Sequence, residues 1–160
     1  MVQGTQLEHV LGDVSADASR LFDLEGLAVA RVEIDAAGVR VVHVVTADQT
    51  GCACPSCGVL SCSARGRVRT RPRDIPYGTA GLRVVWHKRR WRCAEVLCPR
   101  ASFTEATAAV PARARLTSRL RAELGYAVAG QRRCVAETAE HYGVGWATFT
   151  PRSSRTWPGR

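Results

Sequence analysis

Two cysteine pairs are the residues best placed to do chemistry: Cys54-Pro55-Ser56-Cys57-Gly58 and, after an arginine-rich stretch, Cys93-Ala94-Glu95-Val96-Leu97-Cys98. A Cys-x-x-Cys-Gly turn points two thiolates at one centre and brings backbone amides to face the sulfurs. A second pair further along completes a set of four, and four soft sulfur donors in a tetrahedron suit zinc. A disulfide framework needs an oxidising compartment, which nothing in the sequence indicates. A redox Cys-x-x-Cys should open a helix beside a strand-helix-strand unit, whereas Pro55 and Gly58 make a turn. Cys54, Cys57, Cys93 and Cys98 are therefore the expected ligands of Zn²⁺. Cys52 and Cys62 lie close enough in sequence to replace one of them if the register differs, although only Cys54 and Cys57 have the two-residue gap with glycine after it.

The elements that must position these pairs read as strands. From Leu27 the hydrophobic period changes to two, Asp35-Ala36-Ala37-Gly38 supplies turn chemistry, and Val39 to Thr46 returns as a β-branched run, so this region predicts a hairpin. His43, in its second strand, reads as a packed or edge residue rather than a ligand. Between the cysteine pairs, Arg65, Arg67, Arg69, Arg71 and Arg73 occupy every second position. Extended backbone would project all five to one side about 6.5 to 7 Å apart, close to the phosphate repeat of one DNA strand. The alternative is a solvated, charged edge strand. Asp74 is the only acid between Arg65 and Arg92, so the charge is not neutralised within the segment. A further strand, Leu82 to Trp91, offers Lys88, Arg89 and Arg90 as additional phosphate contacts. Its Trp86 and Trp91 are better suited to filling a small core than to stacking on bases.

Beyond Pro99 the pattern becomes helical. Leu116, Leu120, Leu124 and Val128 recur every four residues behind a Thr117 N-cap, and Gly130 ends that helix. A second helix is expected from Arg132 to Tyr142. Ala139, the Gly143-Val144-Gly145 turn and Phe149 then fit a helix-turn-helix, with a base-reading helix starting near Trp146. Thr148 and Arg152 are the polar side chains that helix would offer to a groove. Pro151 should break it within about two turns, which leaves binding mostly sequence-independent. Near the start, Leu7, Val10, Leu11 and Val14 suggest a short helix or irregular lead-in.

The chain of 160 residues is 46% hydrophobic, enough for a globular core, and carries a net charge of +9. That charge is uneven: residues 1–50 hold eight acids against three arginines, and the remainder holds twenty Lys or Arg against six acids. The basic part predicts a polyanionic partner. Neither an apolar run of spanning length nor a basic amphipathic anchor is present, so no membrane is expected. The opening residues lack a secretory signal, so the expected location is cytoplasmic, where seven cysteines stay reduced.

Taken in order, Cys54-Pro-Ser-Cys-Gly, Arg71-Pro-Arg-Asp-Ile-Pro-Tyr-Gly, Trp86-His-Lys-Arg-Arg-Trp-Arg-Cys, Cys98-Pro-Arg-Ala-Ser-Phe-Thr-Glu and Pro111-Ala-Arg-Ala-Arg-Leu-Thr resemble the N-terminal part of ISL-three family transposases of bacterial insertion sequences. The resemblance covers about residues 20–149. It implies a zinc-ribbon-like module followed by a helix-turn-helix, which together bind the terminal inverted repeats of the element. The family's catalytic domain, with its three separated acids, has no counterpart here, so no residue is assigned a catalytic role. The tail from Pro151 departs from the family pattern, as after a frameshift or a premature end.

The expected fold class is accordingly α+β: a lead-in (1–26), a β-rich zinc-binding domain with a hairpin (27–105), a helix-turn-helix region (112–150) and a divergent tail (151–160). The expected function is that of a non-enzymatic, double-stranded DNA-binding fragment with no small-molecule substrate. A regulatory or protein-interaction module that competes with full-length transposase, or dimerises with it or with a second copy, is the alternative. A truncated nuclease is disfavoured because four cysteines close a site that zinc catalysis needs open.

Overall fold

The computed structural model describes residues 14–78 and 81–148. Among them the chain is α+β, with a five-stranded sheet and three α-helices. Leu7, Val10 and Leu11 lie outside the described residues. Helix α1 (Ala16–Phe22) starts at Ser15, whose side chain accepts from the Ala18 amide as an N-cap.

The predicted hairpin is formed by β1 (Leu27–Ile34) and β2 (Arg40–Thr46). Its turn follows from two residues: the Asp35 carboxylate accepts from the Ala37 and Val39 amides at 3.0 and 2.9 Å, and Gly38 takes a φ of 76°. A register shift between Val29 and Arg31 breaks the simple alternation of β1. The outer edge of β1 is closed by α1, because Ser15 N–H donates to Val29 O and Ser19 Oγ accepts from Val29 N–H.

Strand β4 (Leu82–Arg92) is the centre of the sheet, in the order β1-β2-β4-β3. Its first half runs parallel to β2, and its second half, Trp86 to Trp91, runs antiparallel to β3 (Ala64–Thr70). The short β5 (Ser102–Thr104) pairs antiparallel with the last residues of β4. Val84 and Trp86 on β4 join Val42, Val44, Val29, Leu27, Leu24, Ala109 and Val110 in the main core. Both predicted core tryptophans are buried: Trp86 donates to Thr46 Oγ1 at 3.1 Å and Trp91 to Glu105 Oε1 at 3.3 Å.

Helix α2 (Ser118–Gly125) begins at the expected Thr117 cap, which accepts from the Leu120 amide. It continues as a π-turn, Tyr126–Gly130, in which Ala127 is the buried residue and Val128 only half-buried. Helix α3 (Val135–His141) starts three residues later than expected, after Arg132 takes a positive φ of 55°. Ala139 and Val144 pack with Leu116, Leu120 and Leu124 in a second core. Where a base-reading helix was expected, the described chain shows a single 3₁₀ turn, Trp146–Thr148. Phe149, Pro151 and Arg152 lie outside the described residues.

Glu105 binds the halves of the sheet. Its side chain is fully buried and accepts from Thr46 Oγ1 (2.8 Å), the Arg89 amide (2.7 Å), Arg89 Nε (2.7 Å) and Trp91 Nε1. Replacing it by alanine strands these donors. Glu105→Ala should therefore cost about 2–4 kcal/mol, chiefly the buried donors it leaves unpaired, since Arg89 itself is half-exposed. The urea midpoint should fall accordingly, and a loss below about 1 kcal/mol would show that the network carries little of the fold.

Candidate metal centre and nucleic-acid interface

The two cysteine turns meet at one end of the sheet. Cys54 N–H donates to Val59 O and Gly58 N–H to Cys54 O at 2.8 Å, with Gly58 at a φ of 75°, so the first pair sits on a tight knuckle that needs its glycine. The second pair starts where β4 ends: Cys93 follows Arg92 and its amide donates to Ala101 O. The four sulfurs of Cys54, Cys57, Cys93 and Cys98 lie within 4.8 Å of one another. Cys54 and Cys98 Sγ are 3.9 Å apart, and Cys57 and Cys93 Sγ 3.5 Å apart. A tetrahedral Zn–S₄ centre with bonds of about 2.3 Å spaces its sulfurs by about 3.8 Å, so the donors fit zinc in type, number and separation. Cys52 instead donates to Gln49 O, and Cys62 is exposed; neither joins the cluster.

The thiols behave as a site built for a cation. Burial opposes ionisation of Cys54, but the Ser56 and Cys57 amides outweigh it and hold this thiol down at about 6. Burial pushes Cys93 up to about 12. The Arg100 amide favours the thiolate of Cys98, yet burial and the adjacent sulfurs leave it raised as well. One thiolate forms readily, and burial, with the neighbouring sulfurs, resists the next. A dication at the centre removes that resistance. Trp91 and Phe103 pack beneath the cluster and are its main apolar support.

The arginine stripe is not one stripe. Gly66, at a φ of 128°, and a register shift between Ala64 and Gly66 put Arg65 on a bulge. Arg67 and Arg69 lie opposite Arg89 and His87 of β4. The strand then stops at Thr70, because Pro72 and Asp74 turn inward and are buried. Arg71 lies across a cleft from Arg113 and Arg115, while the Arg73 guanidinium approaches Gly143 and its backbone bonds to Arg115 and Thr117. All five side chains are exposed, on different surfaces.

The β4 cations also separate. Lys88 is buried, with its ammonium 3.9 Å from the Trp86 ring centroid. Arg89 is half-buried and paired with Glu105, an acid from outside the segment. Arg90 is exposed and donates to Ser102 Oγ. Thr148 is half-buried near the end of the described chain.

Two groups were not foreseen in the sequence. Asp74 is buried and paired with Arg119, which also donates to Phe22 O and Asp23 O, so it fastens α2 to the end of α1. On the sheet face opposite Trp86, His43 Nδ1 lies 2.8 Å from His87 Nε2, and His43 Nε2 lies 3.0 Å from Glu33 Oε1. A carboxylate only accepts, so His43 Nε2 carries the proton toward Glu33 and a neutral His43 accepts from His87 Nε2–H. Each histidine was visible as a polar residue in a strand; their meeting depends on the β2–β4 register.

Residues 50–98, from just before the first cysteine turn to the last ligand, match the family model described as the zinc-finger of transposase IS204/IS1001/IS1096/IS1165. No curated protein and no solved structure matches the chain. The match is confined to that stretch, which is similar to a transposase zinc ribbon and has four cysteines positioned to hold a metal.

Two predictions follow from this geometry. Zinc analysis of the purified chain should find one ion, lost together with cooperative unfolding in a Cys57→Ser, Cys93→Ser variant and retained in Cys62→Ser; full zinc in the double variant would refute the assignment. The second concerns pH. Burial, then His43 and the cations Arg69, Arg31 and Arg67, hold the pKa of His87 below the ordinary imidazole value of 6.5, while Glu33 faces His43. The unfolded chain therefore takes up the proton first, so stability is fully present above about pH 6.5 and lost as pH falls through the depressed value. Urea midpoints of His87→Gln should fall less between pH 7.5 and 5.5 than those of the parent, and parallel curves would count against this role.

Proposed function

We propose that the chain is a DNA-binding module of a transposase-related protein, in which the zinc ribbon fixes the basic strands against the phosphate backbone. The observation that carries this reading is the four-sulfur centre inside a segment that matches a transposase zinc-finger, with β3 and β4 strung between its two turns. Arg65, Arg67, Arg69 and Arg90 are the exposed phosphate contacts, and Arg71 and Arg73 continue them toward the helices. Zn²⁺ bound by Cys54, Cys57, Cys93 and Cys98 acts structurally: four cysteines leave no open coordination position for catalysis, and the module acts by binding. Helix α3, the Gly143 turn and the stretch from Trp146 serve as a helix-turn-helix, with α2 packed against α3. Ala139 and Val144, buried against Leu116, Leu120 and Leu124, support this assignment, and Thr148 is the described polar side chain that would meet the groove.

A second reading, an interaction module that pairs with a full-length transposase or a second copy, draws on Val96 and Leu97, which are 92% and 90% exposed between the last two ligands. Anisotropy titrations of labelled duplexes separate the two. In the first reading Arg67→Ala, Arg69→Ala weakens binding to all sequences alike and reduces the salt slope by about one to two units. Preference for inverted-repeat ends over random duplex should stay below about a thousandfold, the level typical of specific readers. No measurable duplex binding would defeat the first reading and leave the interaction module standing.

A further inference from the structure

One buried cation has no counter-ion. Lys88 is only 7% exposed, and among the described residues no acid lies within ion-pair distance of it. Glu105, the acid on the neighbouring segment, is committed to Arg89, Thr46 and Trp91. Burial holds the ammonium's pKa below its ordinary range, and Glu105 offsets this only in part. Its ammonium lies 3.9 Å from the Trp86 ring centroid; that cation–π contact offsets only part of the cost of burying a charge without a counter-ion, and a ligand anion can supply the rest.

The surroundings of Lys88 fit that account. It lines a cleft of about 450 Å³ between the β3–β4 ribbon and the 113–115 segment, together with Arg71, Arg113 and Arg115, and no acid lines it. Thr70, also on its wall, has a buried hydroxyl with no hydrogen-bond partner among the described residues. Arg113 is held at a φ of 63°, a left-handed conformation that a non-glycine residue adopts at a cost. Its segment is anchored by Arg73 N–H donating to Arg115 O at 2.8 Å.

We propose that this cleft binds a single phosphate group, with Lys88 and Thr70 donating from the wall and Arg71, Arg113 and Arg115 closing on it from the rim. Three or more cations with one hydroxyl match the charge and acceptor count of a phosphate better than those of a carboxylate. The phosphate belongs to a DNA strand, a choice of source that rests on the DNA-binding reading; a free phosphoanion has the same chemistry.

The test uses the zinc-loaded chain and two arms. In the first, thermal unfolding is followed in inorganic phosphate against chloride at equal ionic strength, for the parent and for Lys88→Met, which keeps an apolar stem of similar length. General salting by phosphate stabilises both proteins; the site predicts an additional, saturable rise in the parent alone, and a higher midpoint for Lys88→Met in chloride because an unpaired charge is gone. Arg113→Gly, which relieves the positive φ, should fold and bind phosphate about tenfold more weakly, the loss of one charge-assisted contact. Equal phosphate responses in all three proteins overturn the site, whatever DNA does. The second arm repeats the duplex titration. A uniform loss of affinity in Lys88→Met, with the salt slope about one unit shallower, assigns the phosphate to DNA. A phosphate response with unchanged duplex binding keeps the site and overturns DNA as its source. A phosphate response with no duplex binding by any variant also keeps the site and refutes the DNA-binding reading instead.

Discussion

Four sulfurs lie within 4.8 Å of one another, and they do not ionise alike: against burial, the Ser56 and Cys57 amides hold Cys54 down at about 6, while burial pushes Cys93 up to about 12. A divalent cation favours the thiolate of all four. Much of the sheet depends on that centre, because its strands lead directly into the ligands: β4 runs into Cys93, and Cys98 stands just before β5. The apolar support at this end is small, essentially Trp91 and Phe103. Metal binding and closure of the β3–β4–β5 end are therefore expected to be one event, as in other small folds whose ligands come from distant turns.

The second organising rule is how few acids there are and where they point. Glu105 neutralises Arg89, Asp74 neutralises Arg119, and Asp35 and Glu33 from the acid-rich first third meet Arg83 and Arg31. Two of these carboxylates are fully buried, so they spend their charge inside the fold. The unpaired arginines of β3 face solvent.

Features set by short-range rules were legible in the sequence. The hairpin and its Asp35–Gly38 turn, the Thr117 cap, the tryptophan core and the convergence of four cysteines each follow from residues close together or from a repeated spacing. What the sequence hid was decided by long-range pairing. The arginine stripe fails because Gly66 bulges and because Pro72 and Asp74 turn inward, the latter toward Arg119 far along the chain. The apparent lack of neutralisation fails for the same reason, since Glu105 arrives from β5's far side. The His43–His87 contact requires the parallel β2–β4 register, which no local pattern encodes.

Strand parity then explains why the basic residues of β4 cannot act as one patch. Trp86 and Lys88 lie on the main-core side, whereas His87 and Arg89 lie on the opposite face, level with Arg69 and Arg67. Only β3, at the edge of the sheet, has both surfaces within reach: Arg67 and Arg69 on one side, and the Arg71–Arg113–Arg115 cleft on the other. An exposed edge strand invites pairing with other chains, and charged side chains are a common guard against it. In the proposed reading, the same arginines that keep β3 from pairing with another protein strand are those offered to phosphates, so guarding the edge and recruiting a polyanion impose the same demand on the sequence.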